Sequence, residues 1–402
     1  MRARLLHALA LALAAFLVAL FSVHDARAYP WMIRHDYAAC AQCHVDPSGS
    51  GPLNAYGRGM GEVLLKTHYG PQTEDDAFEP GPGAKFLWGL VPLPDSLDFG
   101  GSFRVMELFQ KTGFVPATHQ FIFMQADVNA TLHLDRWVAS GSVGYEPEGG
   151  LHAAITRGPN DNLVSRFHWV GYRLDENSTM LLRAGRMPLP FGIRDVVHTL
   201  SVRTTTRTDN DDQQQDGVAF SYSGSGLRAE AMLILGNYQI RPDAFRERGY
   251  SAYAEWAPMT SLALGASSRI AHVNADDELL HPAWRHAHGV FGRWSIPSSP
   301  IVLMSEVDYV IDSLKNLPRN QGLTSMAQVD AEVVQGLHYQ LTGEAYDFGP
   351  SSTPFSYSAW ASLLWFFASH ADVRLDGIYE SIGSPGGRVG VTLLLAQAHL
   401  YL

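Results

Sequence analysis

Charged side chains and cysteines are both scarce in this chain. Among 402 residues, charged side chains account for 17% and only two residues are cysteine. Soluble domains usually contain about 25% charged residues. The formal net charge is −11. This acidic balance argues against a nucleic-acid-binding protein, because such proteins need a basic face against the phosphates.

Long hydrophobic runs are also missing beyond the N-terminus. A membrane-spanning helix needs about 18 or more consecutive apolar residues, and no later stretch of the sequence has them. Aromatic residues nevertheless reach 11%. Few charges, many aromatic residues and no internal hydrophobic run together favour strands over helices.

The N-terminus predicts export from the cytoplasm. Two early arginines precede an apolar run from Ala8 to Phe21, and the small residues at 26–28 fit a cleavage site. This pattern is typical of a secretory signal peptide over residues 1–28, with the mature chain beginning at Tyr29. The alternative is an uncleaved membrane anchor, because the apolar run is on the long side.

Both cysteines lie in the short stretch "AACAQCH", where Cys40 and Cys43 are followed directly by His44. The pattern C-x-x-C-H is the attachment signature of c-type haem. Two thiols at this spacing form thioethers with the two vinyl groups, and the adjacent imidazole binds the iron. The sequence therefore predicts one covalently bound haem c, held by Cys40 and Cys43, with His44 as the proximal axial ligand.

Two other interpretations of the cysteine pair stay open. In an exported protein two cysteines often form a disulfide, and a Cys-x-x-Cys pair can be redox-active. A structural zinc site is less well supported, because it needs four protein ligands and the sequence has no second cysteine or histidine pair at the right spacing.

The distal haem ligand is less well defined by the sequence. His35 is the first candidate because it is the nearest histidine on the N-terminal side, and Met60 is the second. His68 and Met32 are further alternatives, and the sixth position could also be open. The haem-binding segment spans residues 29–69, which is too short for a sufficient core of its own.

Residues 70–96 are predicted to form a linker, since their first part is acidic and rich in glycine and proline. The haem-binding segment itself is expected to be irregular, with a brief helix near its end.

From residue 97 to residue 402 the hydrophobic pattern has a period of two. In "LRAEAMLILG" the apolar residues face one way, while Arg228 and Glu230 face the other. About sixteen such segments, with a range of 14 to 18, run near ten residues each, and their connections alternate between short and long. Outer-membrane barrels have short periplasmic turns, long outer loops and an even number of strands. The predicted fold is an all-β transmembrane antiparallel barrel, with a soluble β-rich domain as the alternative.

The stretch "RAGRMPLPFG", Arg183 to Gly192, resembles the strand end of many bacterial outer-membrane porins. The resemblance covers about residues 95–402. It implies that the connection 188–215 folds inward and narrows the lumen, and that a homotrimer is possible. The constriction candidates that it implies are Arg194, Arg203, Arg207, Asp209, Asp211 and Asp212. A solvated outer loop is the alternative for this connection.

A haem-binding segment before such a barrel resembles the porin–cytochrome arrangement of bacteria that pass electrons across the outer membrane. The resemblance implies electron transfer at the outer membrane, with cytochrome partners and with the haem at the periplasmic mouth or in the lumen.

The first alternative is a diffusion porin that favours cations and whose haem segment is a plug, docking element or redox gate. The carboxylates expected to face inward are Glu306, Asp308, Asp330, Glu332, Asp372 and Asp376. An enzyme such as a haem peroxidase, with His35 as its acid–base residue, is a minor alternative, and we expect no enzyme activity.

Overall fold

The structure is a computed structural model, and it describes residues 30–402 apart from 38, 70–80, 148–154, 157–161, 198, 211, 225, 277–278 and 349–352. The predicted signal peptide, residues 1–28, lies outside the described residues. Within the described part of the chain, no helix has both the length and the apolar character that crossing a membrane would require.

The chain forms a closed antiparallel β-barrel of 16 strands. Consecutive strands pair with one another, apart from two short strands that share one partner, and the last strand pairs with the first to close the barrel. The strands are β1 Leu97–Thr112, β2 Thr118–Leu134, β3 Trp137–Glu146, β4 Asn162–Val164, β5 His168–Arg173, β6 Met180–Met187, β7 Gln215–Gly224, β8 Leu227–Gly236, β9 Arg248–Met259, β10 Leu262–Val273, β11 Ala283–Ser295, β12 Ile301–Leu314, β13 Asn320–Val334, β14 Leu337–Phe348, β15 Ser356–Ala368, β16 Ala371–Ser384 and β17 Gly387–Tyr401.

The predicted fold class and the even strand number are confirmed. The strand that the alternating pattern predicts at 165–174 is observed as β5, which begins three residues later, and the short β4 lies in the preceding stretch, which was expected to be a loop. Both pieces pair with β3, so they act as one strand of the barrel. The other predicted segments agree with the observed strands to within a few residues.

The two ends of the barrel have different connections. Turns of a few residues join β2 to β3, β9 to β10, β13 to β14 and β15 to β16, and β1 begins and β17 ends at the same side. We call this side the short-turn end. The opposite, long-loop end carries the long connection between β6 and β7. The predicted alternation of short and long connections holds for most of the barrel, but three connections at the long-loop end, 113–117, 315–319 and 385–386, are also short.

The barrel wall alternates as its sequence pattern predicts. On β8, Arg228 and Glu230 are buried inside, whereas Leu233 is 62% exposed on the outer face. Trp284 and Trp294 lie ten positions apart on β11 and are both exposed, as expected of aromatic residues at the two edges of an apolar belt. The six carboxylates predicted to face inward are all buried.

The N-terminal segment lies inside the lumen. It contains short 3₁₀ turns at Pro30–His35 and Cys40–Gln42 and helical turns at Ala55–Met60 and Gly61–Leu65. Trp31 and its neighbours pack in one cluster with wall residues that include Met304 and Phe366. The barrel interior therefore supplies the core that this short segment cannot build alone.

The described part of the predicted linker, 81–96, packs on the short-turn end. The His370 ring donates a hydrogen bond from Nε2 to the Gly83 carbonyl at 2.6 Å. Phe86 packs edge-on against Phe99 of β1, with 5.3 Å between ring centroids. These contacts tie the end of the linker to the point where β1 and β17 meet.

Candidate cofactor site in the lumen

A cavity of about 220 Å³ lies inside the barrel towards the short-turn end, and it is lined by both cysteines and by His44. Met32 and Met60 line the same cavity. The structure thus brings together five of the seven residues that the sequence analysis selected.

One tight turn arranges the C-x-x-C-H residues. The Cys43 amide donates to the Cys40 carbonyl at 3.1 Å, and the His44 amide donates to the same carbonyl at 2.9 Å. No disulfide joins Cys40 to Cys43, both of which lie in the described part of the chain. Two thiols and one imidazole therefore face a single cavity.

Asn54 connects this turn to the helix that carries Met60. Its amide donates to the Cys43 carbonyl at 2.9 Å, and its side-chain Nδ2 donates to the Gln42 carbonyl at 2.8 Å. Its Oδ1 accepts from the Gly57 amide at 2.8 Å and so caps the helix Ala55–Met60. A Cβ on Gly57 would lie 2.1 Å from the Cys43 carbonyl oxygen, so only glycine permits this close packing.

The four candidate distal ligands separate into two pairs. The Met60 sulfur is at the cavity and accepts a hydrogen bond from the Tyr37 hydroxyl at 2.7 Å, and Met32 lines the cavity beside it. His35 instead contacts Glu332 of the wall, with 2.9 Å between Nε2 and the carboxylate, and neither it nor His68 is among the lining residues. The geometry therefore favours Met60 and disfavours His35, the first candidate from the sequence.

The His44 imidazole is held in its neutral form. Burial lowers the pKa of His44 to about 4, and the nearby Gly51 backbone and Asp46 carboxylate oppose this effect only in part. Its Nδ1 atom is buried and has no hydrogen-bond partner of normal geometry. A neutral imidazole is the form that binds metal ions, so the donor set of two thiols, His44 and Met60 fits a c-type haem.

A buried network of charges holds the turn against the barrel wall, and of its members the sequence analysis selected only Arg194, as a constriction candidate. Asp46, two residues after His44, contacts Arg183 of β6 at 2.5 Å. Arg183 also pairs with Glu230 of β8, which in turn contacts Arg194 at 2.7 Å. Arg194 donates to the Pro47 carbonyl at 3.0 Å. The alternating pattern of the strands places Arg183 and Glu230 on the inward face, but it does not identify the partner of Arg183 in the N-terminal segment.

The connection between β6 and β7 folds into the lumen, as the resemblance to porins implied. It contains the helix Ser201–Thr206, and the Ile193 amide donates to the Glu306 carboxylate at 2.8 Å. Arg203 pairs with the same carboxylate. Arg194 and Arg203, expected at a constriction, are thus both paired with wall carboxylates.

The other constriction candidates have different positions. Asp209 lines the cavity of the cysteines, and Asp212 lines a second lumen cavity. Arg207 follows the helix with φ of 56°. Asp211 lies outside the described residues.

The second cavity has a volume of about 710 Å³ and runs beside β1, β2 and β14–β17. Arg104, Arg166 and Gln125 line both cavities, so the two adjoin. The second one extends from His399 near the short-turn end to Glu146 near the long-loop end. We call the part of the lumen along these strands the open half, and the part along β6–β13, which contains the inward connection, the filled half.

A protein-only metal site is not supported by the geometry. Among the residues that the structure describes, no group of three or more histidine, cysteine, aspartate or glutamate side chains is arranged to hold a metal ion. The zinc interpretation of the cysteine pair therefore gains no support.

Solved structures with the same architecture are outer-membrane proteins. OmpT of Vibrio cholerae has a TM-score of 0.58 at 14% identity, over 78% of this chain and 100% of that one. An anion-selective porin from Comamonas acidovorans has a TM-score of 0.56 at 11% identity, over 76% and 99%. The channel DcaP of Acinetobacter baumannii has a TM-score of 0.54 at 12% identity, over 76% and 97%.

No family model matches the sequence, and no curated protein is significantly similar to it. At these identities the structural likeness establishes the fold alone. The fold is that of an outer-membrane porin-like barrel.

Proposed function

We propose that this chain is an outer-membrane barrel that carries one covalently bound haem c and takes part in electron transfer at the outer membrane. The observation that carries the proposal is that Cys40, Cys43, His44 and Met60 all line the same cavity in the lumen. A haem bound there supplies a one-electron carrier that alternates between ferrous and ferric iron.

The residues of the chain have distinct parts in this proposal. Cys40 and Cys43 would hold the porphyrin, and His44 and Met60, rather than His35, would supply the nitrogen and the sulfur that bind the iron. The Tyr37 hydroxyl orients the Met60 sulfur through its hydrogen bond of 2.7 Å. The barrel wall limits the access of water, which sets the polarity around the site.

The proposal includes location and partners. Both barrel termini and the haem segment lie towards the short-turn end, which in outer-membrane barrels faces the periplasm. The apolar belt of such barrels is about 25 Å tall, so one haem does not span it, and a periplasmic or outer-membrane cytochrome is the expected partner. A trimer form is described for OmpT of Vibrio cholerae, and a homotrimer is proposed here only by analogy.

Absorption and electron paramagnetic resonance spectra of the purified protein test the ligand assignment. We expect a six-coordinate low-spin haem in the wild type and a high-spin haem in Met60→Ala. His35→Ala and Met32→Ala are the matched controls and should keep the low-spin spectrum. Loss of low spin in His35→Ala alone would show that Met60 is the wrong ligand, and a protein that never binds haem covalently would reject the whole proposal.

A diffusion porin remains the second candidate, because the open half forms a cavity that extends towards both ends of the barrel. This function predicts ion conductance in liposomes with the haem segment in place. Reversal potentials in a salt gradient would then measure selectivity, and the inward carboxylates favour cations. A barrel that conducts no ions would remove this candidate and leave the electron-transfer proposal unaffected.

A further inference from the structure

The open half of the lumen has an unusually apolar wall. Lumens of outer-membrane barrels are polar, because water fills them. Here the inward positions of three adjoining strands carry large apolar side chains next to the cavity: Met106 and Leu108 on β1, Ile122 and Met124 on β2, and Leu393 and Leu395 on β17. Such a wall is unfavourable in a lumen that holds only water and ions, because exposing apolar surface to water costs free energy.

The cavity also has the size and lining of a site for a small organic molecule. Its volume of about 710 Å³ lies within the range of roughly 300 to 1,000 Å³ that is typical of ligand pockets. Trp31, Trp360 and Phe366 line it as well. Aromatic rings and methionine sulfurs both make favourable contacts with a flat aromatic ligand.

The charges around the cavity disfavour an anionic ligand. Seven carboxylates line it against three arginines, and they are Glu146, Asp195, Asp209, Asp212, Asp372, Asp376 and Glu380. Asp376 accepts from Arg374 at 2.9 Å, and Asp372 contacts His399 at 2.9 Å. The lining as a whole has more carboxylates than arginines, and a neutral ligand avoids the repulsion that an anion would meet.

We infer that the open half is a binding site for a neutral planar aromatic molecule of the size of a quinone with two fused rings. The site adjoins the cavity of Cys40 through the shared residues Arg104 and Gln125. The placement of this ligand next to a haem rests on the proposed function, whereas the binding itself does not.

Equilibrium dialysis of the detergent-solubilised, haem-loaded protein against the naphthoquinone menadione tests the inference. We expect saturable binding, and at least tenfold weaker binding in the double variant Leu393→Gln/Leu395→Gln. Thr392→Gln, on the outer face of the same strand, is the control and should bind as the wild type does. A naphthalene sulfonate of similar size should bind much more weakly than menadione.

The outcomes separate this inference from the proposed function. Equal binding by the wild type and the double variant, or by the neutral and anionic probes, would overturn the inference. Binding seen only in the variant Cys40→Ala/Cys43→Ala, which cannot attach haem, would assign the cavity to the porphyrin instead. Menadione binding by a wild-type protein that never binds haem would support the inference and reject the proposed function. Heat-modifiable mobility on gels checks that each variant forms the barrel.

Discussion

The filled and open halves of the lumen are built from the same strand pattern, but their inward charged side chains form ion-paired groups of different extent. In the filled half, arginines and carboxylates form connected buried groups: Arg183, Asp46, Glu230 and Arg194; Arg228, Glu255 and Arg293; and Arg269, Glu247, Arg285 and Asp276. In the open half, the described residues form smaller pairs such as Arg374 with Asp376.

This difference shows how one barrel can hold the N-terminal segment in one half of its lumen and keep an open cavity in the other half. Buried ion pairs give little net stability, because desolvation offsets their attraction, but losing one partner is costly. Such groups therefore favour one fixed arrangement of the N-terminal segment and the inward connection. Among the described residues, the groups of the open half have two or three members, such as Arg374 with Asp376 or Arg58 with Asp98 and His133, and this half keeps a cavity of about 710 Å³.

The largest expected effect comes from Arg183→Met in the filled half. Arg183 is fully buried between Asp46 and Glu230, so its loss leaves the buried Asp46 without its ion-pair partner and Glu230 with Arg194 alone. We expect a loss of about 3–5 kcal/mol in the free energy of unfolding, together with faster proteolysis of the N-terminal segment. Denaturant unfolding in detergent and limited proteolysis measure the two effects.

The matched change in the open half is Arg374→Met. Asp376 lines the cavity and can bind water after the change, so we expect a smaller loss of stability than in Arg183→Met. If both variants lose the same stability, the distinction between the two halves is wrong.

The next largest effect is expected for Gly192→Ala, which tests the inward connection. Gly192 has φ of +57°, and a Cβ there would lie 1.9 Å from the Glu306 carboxylate and 2.6 Å from the Arg203 guanidinium. The backbone strain alone costs about 1–2 kcal/mol, and the clash would displace the connection from Glu306.

Thermal unfolding and ion conductance check the Gly192→Ala variant, which should melt earlier and conduct more. The control is Gly386→Ala, since a Cβ at that turn meets no atom within 4 Å. A Gly192→Ala protein with unchanged melting would argue against a tightly packed connection.

The smallest effect is a pH dependence at Asp195, which lines both cavities. Burial raises the pKa of Asp195 above its ordinary value of 3.8, while a hydrogen bond from the Val197 amide and the charges of Arg374 and Arg203 oppose the shift. The folded state then binds more protons than the unfolded state above about pH 4, so stability falls as pH rises through the raised pKa.

Asp195→Asn should remove this part of the pH dependence. We expect the melting temperature of the wild type to fall more steeply than that of the variant as pH rises from about 4 towards neutrality. Parallel curves for the two proteins would contradict a raised pKa at this site.

Much of the barrel could be predicted from the sequence, because its pattern is local. The alternation in "LRAEAMLILG" determines which side of β8 is buried, and short turns such as that before Trp137 define the strand ends. The short β4 was missed, because its three residues belong to a stretch that the sequence pattern assigns to the long connection after β3, and only their pairing with β3 shows that they extend the wall.

The site was only partly predictable for a different reason. Spacing alone identified Cys40, Cys43 and His44, since one turn brings them together. The choice between His35 and Met60 depends on contacts across the lumen, such as that of His35 with Glu332, nearly 300 residues away in sequence. No local pattern contains that information, and the same holds for Asp46 and Arg183.

The burial of Cys43 has a consequence for the order in which the protein matures. Cys43 is 6% exposed and lies on a turn that the barrel encloses. An enzyme that modifies this thiol is itself a folded protein and cannot enter the lumen. Any enzymatic attachment of a group to Cys43 therefore has to precede the entry of the N-terminal segment into the lumen, so that the segment is modified while it is still outside the barrel.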